Sequence, residues 1–192
     1  MFRKTQILVS LLLCLSILAL PTVHMLSATS TMVAVDPPLS TANVGDTFSV
    51  NVNVTNVDNF TCWDLNLYYL NGVLNCVNAT EGSFLKSGGS PYGAYFTKNI
   101  TNNYNSTYGL LSAYSTLLGS SSYAANGSGV IMTVTFMAVG GGSTALVLSD
   151  IMLGDGHIPP WHIPYIYSDG AVQIMISVPS GGGGGSRMPY MD

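Results

Sequence analysis

Hydrophobic and polar residues alternate with period two through Thr47-Phe48-Ser49-Val50-Asn51-Val52-Asn53-Val54 and again through Trp63-Asp64-Leu65-Asn66-Leu67-Tyr68-Tyr69. A β-strand sends successive side chains to opposite faces, so each segment reads as a strand with one buried and one wet face. Val50, Val52 and Val54 share one side, and Ser49, Asn51 and Asn53 the other. In the second segment Trp63, Leu65, Leu67 and Tyr69 point one way, while Asp64, Asn66 and Tyr68 point the other. Asp is depleted in strands. A carboxylate in the middle of a wet strand face therefore marks Asp64 as a candidate contact for a partner, with an ordinary solvated Asp as the alternative.

The same reading gives nine strands, near 32–36, 47–55, 62–70, 74–79, 92–100, 107–116, 129–139, 144–149 and 170–176. Turn material such as Asn71-Gly72, Ser87-Gly88-Gly89, Asn102-Asn103, Asn126-Gly127 and Gly140-Gly141-Gly142 separates them. No segment keeps a helical period. Short strands at regular spacing predict an all-β fold, a two-sheet sandwich over residues 33–178.

The ends differ in composition from this domain. Arg3 and Lys4, then an uncharged run from Ile7 to Leu20, then Pro21 and Leu26-Ser27-Ala28 have the layout of a secretory signal peptide over 1–28, a retained anchor being the alternative. The expected setting is secreted or cell-surface attached, with the membrane met only through a retained N-terminal segment. Residues 179–192 contain five consecutive glycines, Gly181 to Gly185, and read as a linker or tail. An exported chain would carry sugars at some of its six N-x-[ST] sequons, Asn53, Asn59, Asn78, Asn99, Asn105 and Asn126. In an oxidising compartment Cys62 and Cys76 form an even pair, and a bridge is expected, with two buried free thiols as the alternative.

Charge narrows the function. Only 7% of residues are charged, the net charge is −4, and Arg3, Lys4, Lys86, Lys98 and Arg187 are scattered, which argues against nucleic acid. Catalysis finds little support. There is no G-x-S-x-G motif, and Glu81, the sole Glu, excludes a Glu–Glu acid–base pair. Asp150, Asp155, His157 and His162 gather around Gly154–His162 but match no calcium-loop or zinc spacing. No metal site or cofactor is expected. Tyr92, Tyr95, Tyr104, Tyr108, Tyr114 and Tyr123 enrich the middle of the chain. They suit core and interface positions, or a platform for sugar rings.

Over residues 33–176 the chain resembles the cohesin domains that bind dockerin modules. The resemblance begins with Val44-Gly45-Asp46-Thr47-Phe48-Ser49-Val50 and continues through Trp63–Tyr69, Val73-Leu74-Asn75-Cys76-Val77 and Glu81-Gly82. It ends with Gly129–Phe136, Leu146–Asp150 and Asp169–Ile174. Leu70-Asn71 stands where the family usually has Asp-Pro. The resemblance implies a nine-stranded jelly-roll sandwich and docking of a dockerin-like module on one sheet face. Asp64 matches the family's outward Asp, and Asn66, Thr97, Ser112 and Tyr114 would share its face. Any calcium would belong to the dockerin, and the setting would be polysaccharide-degrading assemblies or cell-surface scaffolds. A second reading, from a different class, is a carbohydrate-binding or structural cell-surface domain whose partner is a glycan.

Overall fold

The computed structural model describes residues 30–120 and 122–176. The expected signal segment, with Cys14, and the whole of the expected glycine-rich tail lie outside them. Among the described residues ten strands run in the order β1 (Met32–Asp36), β2 (Leu39–Asn43), β3 (Thr47–Leu70), β4 (Leu74–Glu81), β5 (Ala94–Thr101), β6 (Tyr108–Leu117), β7 (Ala125–Ala138), β8 (Gly142–Asp155), β9 (Ile166–Ser168) and β10 (Gly170–Met175). A short 3₁₀ turn covers Leu85–Gly88.

The count differs from nine for identifiable reasons. The segments expected at 47–55 and 62–70 are one continuous strand, β3. Its register slips between Val54 and Val57 and again between Val57 and Phe60, and Asn56 and Asn59 both have φ of 54°. Asn tolerates this left-handed backbone, so the strand bends at bulges rather than ending at a loop. Val57 and Phe60 stay buried through the bend. β2 and β9 went unseen because they are short and add in parallel to β10 and β1, with no hairpin signal of their own.

Because β3 bends, its two halves serve different sheets. Thr47–Val54 pairs with β1 and β7, and β7 also pairs with β4. Cys62–Leu70 pairs with β6, and Phe60–Tyr68 with β8, while β5 lies outside β6 as an edge. The start of β8, Gly142–Leu146, pairs with β10.

The period-two pattern fills the space between the ladders. Val50, Val52, Val54, Trp63, Leu65, Leu67, Tyr69, Val134 and Phe136 all belong to one buried cluster. At about 1.5–3 kcal/mol per fully buried large side chain, this cluster is the dominant stabilising term. Tyr69 shows how closely it packs. Its hydroxyl donates to Asn102 Oδ1 at 2.7 Å, and the same oxygen accepts from the Cys76 N–H at 2.7 Å. Its ring lies against Gly109, where an added Cβ would sit 2.3 Å from Cε2.

Cys62 and Cys76 are both free and buried, so the expected bridge is not present. The geometry explains why. Cys76 faces the core with Tyr69 and Phe136, whereas Cys62 has the outward parity of Asp64 and lies under Gly154 and Pro160. The two thiols are on opposite sides of the β6–β3–β8 layer. Burial raises the pKa of both, that of Cys76 to about 11, so both remain protonated thiols at neutral pH.

Candidate functional site

The outer face of the β5–β6–β3–β8 sheet brings together the residues that the sequence singled out. Asp64 lies opposite Tyr114 of β6 and Met152 of β8, and Tyr114 lies opposite Thr97 of β5. In the next row Asn66 faces Ser112 and Ser149, and Ser112 faces Asn99. Directly paired residues share a face, so the two rows form one polar patch. Asp64, Thr97, Asn99, Ser112 and Tyr114 line a single shallow depression in it. Lys98 borders this depression, but its ammonium is held by Asn78 Oδ1 and the Ala79 carbonyl.

Asp150 completes the patch, although its sequence neighbours had grouped it with Asp155, His157 and His162. A bulge in β8 opposite Leu65 places it there, with φ of 49°, and its Oδ2 accepts from Asn66 Nδ2 at 2.8 Å. A simple parity count along β8 would miss it, because the bulge resets the alternation. Asp155 instead organises the following loop. Its Oδ1 accepts from the backbone N–H groups of His157 (3.0 Å) and Trp161 (2.9 Å), and its Oδ2 lies 2.7 Å from His157 Nδ1. Desolvation opposes ionisation there, but these bonds outweigh it and hold the Asp155 carboxyl below its ordinary range. His162 packs on Tyr165. The four residues therefore do not converge.

The electrostatics of the patch are acidic. Burial pushes the Asp64 carboxyl up, the charge of Asp150 pushes in the same direction, and the backbone N–H of Leu65 opposes both. Tyr68, beside Tyr104 and Asp150, is raised as well, chiefly by desolvation. Among the described residues, the side chains of Thr97, Asn99, Ser112 and Tyr114 form no hydrogen bonds with other protein groups, and that of Asp64 meets only the N–H of Leu65. The face thus offers oxygen acceptors, hydroxyls and amides with much of their capacity unused.

The tyrosines do not form one platform. Tyr114 lies on the patch, Tyr104 meets Tyr68 edge-on at 5.8 Å, and Tyr92 and Tyr123 flank Gly119.

The model of the cohesin domain matches residues 33–174. The chain belongs to the cohesin family. Its fold is similar to that of a non-cellulosomal cohesin from the hyperthermophilic archaeon Archaeoglobus fulgidus (20% identity, TM-score 0.57, covering 77% of this chain and 92% of that one). A type II cohesin domain from the cellulosome of Acetivibrio cellulolyticus is similar too (16%, TM-score 0.62, 75% and 95%). So is a type I cohesin–dockerin complex from Clostridium thermocellum (15%, TM-score 0.60, 77% and 100%). No curated protein matches this cohesin domain at a significant level. The archaeal relative is described as non-cellulosomal, so the fold is not confined to cellulosomes.

Proposed function

We propose that this cohesin domain is a secreted, non-catalytic recognition module that docks a dockerin-type protein on the outer face of the β5–β6–β3–β8 sheet. The observation that carries this reading is the patch itself: Asp64, Asn66, Thr97, Ser112 and Tyr114 lie in two adjacent rows with most of their hydrogen-bonding capacity unspent. A carboxylate that is partly desolvated and close to a second carboxylate gains most from an incoming donor. The matching partner surface therefore presents hydroxyl, amide or cationic donors to Asp64 and Asp150. Its apolar groups would rest on Tyr114 and on Met152, which is 38% exposed. Extracellular placement is supported by the N-terminal sequence pattern. A role in polysaccharide-degrading or cell-surface assemblies is supported by family resemblance.

The test is capture with the full chain from the secretome of its source, followed by calorimetric titration of the captured module. Asp64→Ala should weaken binding by about 1–3 kcal/mol, and by more if it strands a partner's charge in the interface. Its melting temperature should stay close to that of the wild type. Undiminished affinity in Asp64→Ala would move docking to another surface.

A further inference from the structure

Of the six sequons, one lies on the docking face. Asn99-Ile100-Thr101 is part of β5, whose only partner strand among the described residues is β6, so there it occupies the free edge of the sheet. Asn99 is exposed, stands opposite Ser112, and lines the same depression as Asp64. Its side-chain amide makes no hydrogen bond among the described residues. The other sequons lie elsewhere. Asn53 is half-buried, with its Nδ2 committed to Asp36 Oδ2 at 3.2 Å. Asn59 is half-buried at the bend of β3, and Asn126 Oδ1 accepts from its backbone N–H. Asn78 is in β4, in the other sheet, and Asn105 caps the β5–β6 hairpin through the N–H groups of Thr107 and Tyr108.

We propose that Asn99 carries an N-linked glycan that stands over the β5 side of this face and confines docking to the β3–β8 side. The inference rests on the docking reading for its consequence, though not for the modification itself. In the transfer, the Asn99 amide nitrogen attacks the anomeric carbon of a lipid-linked oligosaccharide. The new bond is N-glycosidic, the carbon–oxygen bond to the lipid phosphate breaks, the phosphate leaves with the electron pair, and the amide proton passes to a base. No oxidant or reductant is needed. A glycan at this place has two physical effects. It shields Thr97 and Ser112, while Asp64, Asn66, Asp150 and Met152 remain the open half. It also blocks strand addition at the β5 edge, a liability in any sheet with an unpaired border.

The experiment uses the full chain produced in a glycosylating eukaryotic secretory host. Peptide mapping after enzymatic glycan release in ¹⁸O-water reads occupancy, and the Asn99 peptide should return ¹⁸O-labelled Asp. Shielding is read by the rate at which a polyethylene-glycol maleimide labels Thr97→Cys, an exposed position beside Asn99 on the same face, with the unsubstituted chain as background because Cys62 and Cys76 are buried. Adding Asn99→Gln should speed that labelling severalfold. It should leave unchanged the labelling of Leu39→Cys, on β2 away from the patch. Thr101→Ala removes the same sequon with the Asn99 amide intact and should give the same acceleration, which separates glycan loss from damage to β5. An unmodified Asn99 peptide overturns the proposal, as does a Thr97→Cys rate that ignores the sequon. No step uses a partner, so this outcome is independent of the capture experiment that tests docking.

Discussion

On the outer face of the β4–β7–β3–β1 ladder, Ser49 bonds to Thr135 at 2.9 Å, Thr133 donates to Asn51 at 2.8 Å, and Asn53 donates to Asp36 at 3.2 Å. The opposite outer face, on β5–β6–β3–β8, is built from the same residue types. Yet among the described residues only Asn66 and Asp150 pair across its strands. The two halves of one strand, β3, thus look outward onto surfaces of different kinds. One spends its polar groups on itself and gains a little stability from each cross-strand pair. The other keeps its groups for something else. Composition does not separate the two; pairing does.

The first way to break the comparison is at the core beneath the open face. Leu65→Ala should cost about 2–5 kcal/mol of stability by opening a cavity in a fully buried site, whereas the adjacent Asp64→Ala should cost within about 0.5 kcal/mol. Urea denaturation of the two variants checks this. A large loss in Asp64→Ala would show that the open face is structural after all.

Asn102→Ala should cost about 1–3 kcal/mol, because it leaves the Tyr69 hydroxyl and the buried Cys76 N–H without their shared acceptor. Thermal melts read the loss. A near-neutral result would mean that water replaces the amide.

The self-paired face sharpens the contrast. Thr133→Val removes the bond to Asn51 and should cost about 0.5–1.5 kcal/mol while leaving partner affinity unchanged. The same kind of change on the open face, Tyr114→Phe beside Asp64, should reverse this, with stability held and affinity reduced. Paired melts and titrations of the two variants decide it; equal behaviour would erase the distinction between the faces.

The smallest effect is a titration. Asp150→Asn removes the like charge beside Asp64 and should lower the Asp64 pKa toward its ordinary value, as read by carbon-detected NMR of the carboxyl. The sign of the linkage follows. An acid whose folded pKa is raised contributes stability below its unfolded pKa and loses it as pH rises through the folded value. Asp64 is therefore a mild burden on the free fold at neutral pH, and a donor from a partner would relieve it. An unmoved Asp64 pKa in Asp150→Asn would show that the two carboxylates do not sense each other.

Much of this protein was legible along the chain. Period-two alternation identified the buried faces at Val50–Val54 and Trp63–Tyr69, because side-chain direction in a strand is local geometry. The same parity placed Asp64 and Asn66 outside. Thr97, Ser112 and Tyr114 came from family resemblance, and the antiparallel register of β5 and β6 sets them beside Asp64. Three matters waited for the tertiary structure. Asp150 reaches the patch through a bulge, which parity cannot follow. Cys62 and Cys76 have separate surroundings because one faces the loop and the other the core, a fact about layers rather than spacing. Asn99 differs from five other sequons in where its strand lies, how exposed it is and what its amide already binds, none of which the N-x-[ST] pattern shows. Alternation determined which way each side chain points; register and bulges, set by contacts between residues far apart in the chain, decided which of them meet.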